Sequence, residues 1–133
     1  MAVLIDTAPL IALERGESLE RFEVLLGERK RAISVITASE LLHGVHRASP
    51  DHAARRRAFV EHILAAMDPL PLTATIARVH AQIWADVEAA GTPVGAHDLW
   101  IAATAVAHGL AVVTANLRDF SRVRGLEIID SRR

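Results

Sequence analysis

Short apolar runs separated by longer stretches of helical spacing constrain the fold of this chain more than any other feature. Apolar residues recur three and four positions apart in the longer stretches, which predicts helices. The short runs predict strands at AVLI (2–5), AISVI (32–36), AVV (111–113) and LEII (126–129), and a short extended connection at PLPL (69–72). Strands that are apolar on both faces and alternate with helices form a parallel sheet covered on two sides. We therefore predict an α/β fold, a three-layer α/β/α sandwich with a mainly parallel sheet.

Length and cysteine content narrow the class of protein. A chain of 133 residues has the size of one domain, so we expect a single domain over residues 1–133. The chain contains no cysteine, which excludes disulfides, thiolate metal sites and thiol nucleophiles and favours a reducing compartment. No segment has the composition of a signal peptide or of a spanning helix, so we expect a cytoplasmic protein without a membrane partner.

The charge balance leaves the partner undecided. The formal net charge is −1, from 15 basic and 16 acidic residues, so no overall positive field indicates a nucleic-acid partner. Arginines nevertheless cluster within 28–31, 55–57 and 118–124. Such runs are typical of a solvated helix face, although arginine also binds phosphate through two parallel hydrogen bonds. A nucleic-acid partner therefore stays open.

Acidic residues stand where the predicted strands end. Asp6 comes directly after the first strand, Glu40 four residues after the second, and Asp119 shortly after the third. Asp98 opens the helix before the third strand, and this helix has to run back to the edge from which that strand starts. Ligands of open parallel sheets bind outside the carboxyl ends of the strands. We therefore expect the four carboxylates to converge in one crevice.

Helix capping is the structural alternative for each of these acids. The pairs with capping-box spacing are Thr37 with Glu40 and, more loosely, Asn116 with Asp119. Asp98 falls in a first helical turn, where the helix dipole favours negative charge. Asp6 or Thr7 is placed to cap a helix that contains Pro9. Any one acid is explained by capping alone, whereas the four together favour a site.

A crevice of carboxylates predicts a particular chemistry. Like charges packed together repel, and protonation or a bound cation relieves the repulsion. Oxygen ligands with room for water and phosphate suit Mg²⁺ or Mn²⁺ better than Zn²⁺. A divalent ion held there can activate water and neutralise a leaving oxygen, which fits phosphodiester hydrolysis. The polar residues placed to orient the carboxylates are Thr7, Ser39, Thr114 and Asn116.

The histidines do not point to a different metal. Glu40 and His43 form one Glu-x-x-His motif, but a carboxylate-bridged iron site in a bundle needs a second copy, and the chain has none. His43 and His46 lack the spacing and the third partner of a zinc hydrolase. His97 stands next to Asp98, where a helper role is open.

The quoted motifs resemble a known family. VLIDT (3–7), SELLHGV (39–45), HDLWIAATAVAHGLAVVTANLRDF (97–120) and RVRGLEII (122–129) are similar to the PIN domain, in the form found in VapC toxins of toxin–antitoxin pairs. The similarity spans nearly the whole chain, and the block from 98 to 120 is its most specific part. The resemblance implies an α/β sandwich that binds Mg²⁺ or Mn²⁺ and cuts single-stranded RNA (tRNA, mRNA or rRNA).

The resemblance also implies residue roles and partners. It gives metal-binding and catalytic roles to Asp6, Glu40, Asp98 and Asp119, and helper roles to Thr7, Thr114 and Asn116. It implies a homodimer that inhibits translation and growth and is silenced by a cognate VapB-type antitoxin. Two positions depart from the pattern: Ala8 replaces a serine or asparagine, and Ala115 stands where an arginine is common. These changes bear on RNA contacts and leave the predicted metal ligands intact.

Two hypotheses from other classes stay open at this point. A phosphoacceptor signalling module is an α/β protein with an acidic pocket, but it needs adjacent acids after its first strand and a late lysine. Lys30 is the only lysine of this chain, and Asp6 has no acidic neighbour. A non-catalytic binding or scaffold module would use the acids only as helix caps. Titration with Mg²⁺ or Mn²⁺ in a thermal melt separates such a scaffold from the nuclease, because only the nuclease would be stabilised.

Overall fold

A computed structural model of the chain describes residues 2–133. The elements are, in chain order, β1 (Ala2–Ile5), α1 (Thr7–Glu14), α2 (Leu19–Leu26), β2 (Lys30–Ala32), α3 (Val35–Arg47), α4 (Pro50–Ala66), α5 (Ala74–Ala89), α6 (Ala96–His108), β3 (Ala111–Thr114), α7 (Leu117–Phe120) and β4 (Ile128–Asp130). The strands form one sheet in the order β2-β1-β3-β4, and each neighbouring pair is parallel. The predicted α/β class with a parallel sheet is confirmed.

The two central strands separate two apolar cores. Leu4 of β1 and Val112 of β3 pack against side chains from α5, α6 and α7. Val3, Ile5 and Val113 point to the opposite face and pack against side chains from α1, α2, α3 and α4. Because successive side chains of a strand alternate between the faces, a strand buried on both faces must be apolar at every position. The sheet is thus the middle of three layers, as the apolar runs predict.

The predicted second strand over 32–36 is wrong. Strand β2 ends at Ala32, and α3 begins at Val35 inside the apolar run. Ser34 is the N-cap of α3, and its hydroxyl accepts a hydrogen bond from the Thr37 amide at 3.1 Å. A serine hydroxyl offers the backbone an alternative to ladder pairing, so the chain turns into a helix here.

The shifted start of α3 also overturns the predicted capping box of Thr37 and Glu40. Thr37 donates its amide to the cap instead of being the cap, and Glu40 lies in the second turn of α3. The carboxylate of Glu40 is therefore free to contact other elements.

The remaining elements differ from the prediction only in detail. Strand β4 covers Ile128–Asp130 instead of 126–129. The predicted extended connection over 69–72 contributes a single parallel bridge between Leu70 and Ser34. Within residues 2–133, no helix has both the length and the apolar character that a membrane crossing requires.

We predict that Leu4→Ala lowers the free energy of unfolding by about 2–5 kcal/mol, because it removes a side chain from the core and leaves a cavity. Leu4 is 0% exposed, whereas Leu19 is 60% exposed and provides a matched control. Leu19→Ala should change the free energy by less than about 0.5 kcal/mol. Urea denaturation measures both, and similar losses in the two variants would contradict the assignment of β1 to the centre of the sheet.

Candidate active site

Asp6 lies at the carboxyl end of the central strand β1, next to the end of β3. Ile5 pairs with Val113, and the Asp6 amide donates to the Val113 carbonyl at 2.9 Å. The side chain is buried, and its two oxygens have different partners. Oδ1 accepts from the Thr7 amide at 2.8 Å, which makes Asp6 the N-cap of α1 as predicted, and Oδ2 accepts from the Thr114 hydroxyl at 2.8 Å. Capping therefore uses one oxygen and leaves the other facing the sheet edge.

Asn116 connects three of the predicted acids. Its backbone amide donates to the Thr114 hydroxyl oxygen at 2.9 Å, and that hydroxyl holds Asp6. Its side-chain Nδ2 donates to Asp98 Oδ2 at 2.8 Å. Its Oδ1 accepts from the Asp119 amide at 3.3 Å, so the predicted cap of α7 is confirmed. Through these hydrogen bonds, the loop after β3 ties together residues that lie far apart in the chain.

Glu40 is held by side chains from two other elements. The Thr7 hydroxyl donates to Glu40 Oε1 at 2.5 Å and lies 3.1 Å from the Thr37 hydroxyl. Glu40 Oε2 lies 3.1 Å from His97 Nδ1 of α6. These contacts fix the carboxylate of Glu40 toward the end of the sheet.

Asp98 and Asp119 lie over the start of α6. Gly95 is the N-cap of α6, and its amide donates to Asp119 Oδ2 at 3.1 Å. A Cβ atom at Gly95 would lie 3.5 Å from Asp119 Oδ2 and 3.9 Å from Asp98 Oδ2. The two carboxylates are therefore neighbours above a residue that has no side chain of its own.

The surroundings of Asp98 disfavour its charged form. Burial raises the pKa of Asp98 to about 7, and a hydrogen bond with Asp119 acts in the same direction. The negative charges of Asp6 and Glu40 add to this shift. Asp98 is therefore the carboxyl group that retains a proton as the pH approaches neutrality.

The neighbouring acids respond differently. Burial opposes ionisation of Asp119, but hydrogen bonds from Gly95, Asp98 and Asn116 hold its pKa below the ordinary value. Burial also raises the pKa of Asp6, although its hydrogen bonds oppose the shift. Environments that push the pKa values of adjacent carboxyl groups apart are characteristic of functional sites.

The donors at this sheet edge fit a hard divalent cation in chemistry. All are carboxylate, hydroxyl or amide oxygens, and no arginine or lysine within residues 2–133 forms an ion pair with Asp6, Asp98 or Asp119. As the side chains stand, no three His, Asp or Glu residues in the described part of the chain form a group that could hold a metal ion. The carboxylate oxygens instead accept hydrogen bonds from Thr7, Thr114 and Asn116.

Sequence reasoning missed two contributors to this site. Gly95 gave no chemical signal, but a glycine before a predicted helix is a recognisable N-cap. The spacing of Thr37 and Glu40 predicts that Thr37 caps a helix, whereas its hydroxyl lies 3.1 Å from the Thr7 hydroxyl. Ser39, one of the expected helpers, makes no hydrogen bond to the four acids in the described residues and lines a cavity of about 740 Å³ next to Glu40.

We predict that the unfolding free energy of the divalent-free protein falls, relative to that of Asp98→Asn, as the pH rises from about 4 to about 7, and is level above that. Asp98 has a pKa of about 7 in the folded chain and an ordinary value of 3.8, so between these pH values the folded state binds a proton that the unfolded state has lost. The lowered pKa of Asp119 acts only at more acidic pH.

Urea denaturation at several pH values in a chelating buffer measures this difference. Subtracting the curve of Asp98→Asn cancels the contribution of His80, whose pKa is lowered by burial. Parallel pH profiles for the two proteins would show that Asp98 does not titrate near neutrality.

Comparisons with known proteins agree with this architecture. The PIN domain family model matches residues 3–126. Ribonuclease VapC1 of Rickettsia felis is 35% identical over 130 residues, which cover 97% of this chain and 96% of the relative. The tRNA(fMet)-specific endonuclease VapC of Salmonella typhimurium is 38% identical over 112 residues, or 84% of this chain and 81% of the relative.

Solved structures of related proteins superpose on this chain along most of its length. The structure of DNA-bound VapBC from Salmonella typhimurium superposes with a TM-score of 0.86 at 33% identity and covers 98% of each chain. VapBC-5 of Mycobacterium tuberculosis superposes with a TM-score of 0.80 at 34% identity, over 96% of this chain and 97% of the other. Since the family model and these relatives align along most of its length, the chain belongs to the PIN domain family, among the VapC ribonucleases.

Proposed function

We propose that this chain is a Mg²⁺- or Mn²⁺-dependent endoribonuclease that hydrolyses phosphodiester bonds of single-stranded RNA. The observation that carries the proposal is the hydrogen-bond network at the carboxyl end of the parallel sheet, in which Asn116 contacts Asp98 and the Asp119 amide directly and reaches Asp6 through the Thr114 hydroxyl. The names of the relatives support the same reaction class. Membership of this family favours a nuclease over the scaffold and phosphoacceptor hypotheses.

The metal would be held by Asp6, Glu40, Asp98 and Asp119, directly or through water. When bound, Mg²⁺ or Mn²⁺ supplies an activated nucleophile and neutralises charge on the phosphate. Burial, with a smaller contribution from neighbouring negative charges, raises the pKa values of Asp6 and Asp98, which supports this assignment because a bound cation stabilises the ionised form of such carboxylates. Cation and proton then compete for the same oxygens.

The chain's own polar groups would hold the carboxylates in place. Thr114 and Asn116 donate to Asp6 and Asp98, and Thr7 donates to Glu40. Hydrogen bonds of this kind fix carboxylate rotamers and set their basicity. Preformed orientation matters here, because in-line attack on phosphorus requires the reacting groups to be positioned before the reaction.

The biological role we propose is that of a toxin that inhibits translation and growth. A cognate VapB-type antitoxin is the expected partner, and the solved VapBC complexes support this expectation. The relative from Salmonella typhimurium is named for cleavage of tRNA(fMet), so tRNA joins mRNA and rRNA among the candidate substrates. We further propose that the protein forms a homodimer and acts in the cytoplasm.

We predict that Asp6→Asn and Asp98→Asn each reduce RNA cleavage below about one hundredth of the wild-type rate, because each removes a charged ligand at the centre of the site. Asp86→Asn is the matched control, since Asp86 lies on α5 and its carboxylate, within residues 2–133, accepts a hydrogen bond only from Gln82 of the same helix. Cleavage of a labelled single-stranded RNA with added Mn²⁺ measures the rates, and circular dichroism checks the fold. Wild-type rates in both site variants would refute the assignment.

We predict that Asn116→Ala weakens Mn²⁺ binding by about tenfold to a hundredfold, because Asn116 orients Asp98 and the loop that carries Asp119. Isothermal titration with Mn²⁺ alone measures this without RNA. Gln82→Ala removes an exposed side-chain hydrogen bond outside the site and should leave Mn²⁺ affinity unchanged. Equal Mn²⁺ affinity of Asn116→Ala and the wild type would show that Asn116 has no role in orienting the acids.

A further inference from the structure

A second cavity, of about 330 Å³, opens beside the acidic centre and is not used by the proposed reaction. Its lining includes Ala8, Ala115, Arg21, Arg132 and Arg133. We call it the arginine cavity. Its volume lies at the lower end of the range for small-molecule sites, which suits one nucleotide.

Two small residues connect the arginine cavity to the acids. Ala8 follows Asp6 by two residues at the start of α1, and Ala115 lies between Thr114 and Asn116. The wall shared with the acidic centre therefore carries only methyl groups at these two positions.

The arginines of the cavity come from α2 and from the last residues of the chain, and a hydrogen bond from the Arg21 side chain to the backbone of Arg132 brings the two segments together. Arg21 Nη2 donates to the Arg132 carbonyl at 3.4 Å, which places α2 against the segment after β4. Arg132 Nε lies 3.2 Å from Asp130 Oδ1, while its side chain stays 63% exposed. Arg21 and Arg133 form no ion pair with any described residue. Glu17 is the one acid among the described lining residues, and Asp130 pairs with Arg132, so the three arginines still leave an excess of positive charge.

We propose that the arginine cavity is a phosphate subsite that holds a nucleotide of the RNA strand next to the bond that is cut. This proposal rests on the proposed ribonuclease function. Arginine binds phosphate through two parallel hydrogen bonds, and the acidic centre by itself repels an anionic strand. The arginines of this cavity offset that repulsion within reach of the reacting phosphate.

The arrangement around the centre favours an extended polyanion over an acidic peptide. The larger cavity of about 740 Å³ shares no lining residue with the arginine cavity and is lined by Thr7, Glu40 and His97 together with Arg15 and Arg47. An RNA strand that occupies both cavities and the acidic centre therefore meets arginines in each cavity. RNA carries a phosphate at every nucleotide and matches this repeated positive charge.

The test compares two variants that lose the same charge. In the cavity variant, Arg21, Arg132 and Arg133 are changed to Ala. In the control variant, Arg57, Arg78 and Arg124 are changed to Ala. All three are exposed and line neither of the two cavities described above. Fluorescence anisotropy with a labelled single-stranded RNA measures affinity over a range of salt concentrations, in an Asp98→Asn background with EDTA present.

We expect the cavity variant to bind RNA at least about tenfold more weakly than the control variant, with a shallower dependence of affinity on salt, because fewer counterions are released. In the cleavage assay with intact Asp98, the cavity variant should raise KM and leave kcat within about twofold. Equal affinity of the cavity and control variants in the anisotropy assay, when the same two variants with intact Asp98 still cleave RNA, would overturn the subsite and leave the ribonuclease proposal standing.

Polyglutamate provides a second arm. Polyglutamate that binds as tightly as RNA, with the same loss in the cavity variant, would overturn the subsite. A wild-type protein that neither binds nor cleaves RNA would instead refute the proposed function itself.

Discussion

The hydrogen bond between the Thr114 hydroxyl and Asp6 is the contact on which the site depends. It joins the ends of the two central strands, and the parallel register of β1 and β3 brings these residues side by side. The same hydroxyl accepts the Asn116 amide, and Asn116 in turn reaches Asp98 and Asp119. Apolar burial stabilises the pairing of β1 and β3. This pairing in turn sets the positions of the polar groups, which are then oriented by hydrogen bonds.

The acids combine local and functional duties because a carboxylate has two oxygens. Asp6 caps α1 with one oxygen and meets Thr114 with the other, and Asp119 accepts the Gly95 amide beside Asp98. Helix capping recovers part of the cost of placing like charges together, since helix N-termini favour negative charge. Burial and, to a lesser degree, the remaining repulsion raise the pKa of Asp98. Capping and site formation are therefore complementary explanations, although the sequence alone presents them as alternatives.

The sequence predicts most of the sheet, because β1 and β3 are buried on both faces and therefore appear in the sequence as runs of consecutive apolar residues. It fails at β2, where Ser34 ends the strand inside an equally apolar run. Periodicity cannot distinguish a short buried strand from the first turn of a buried helix. For the site, the acids after β1 and β3 follow from position alone. Contacts such as Thr37 with Thr7 depend on how α3 packs against α1, which a single sequence does not reveal.

Net charge is a poor guide to the partner of this chain. The formal charge of −1 results from 16 acidic and 15 basic residues that the fold separates in space. Acids gather at the sheet edge, while Arg21, Arg132 and Arg133 come together only through the contact between α2 and the segment after β4. Since the Debye length is about 8–10 Å at ordinary salt, a strand in the site responds to this local pattern and not to the total charge. Positive charge assembled by the fold from distant segments is therefore compatible with RNA binding by a slightly acidic protein.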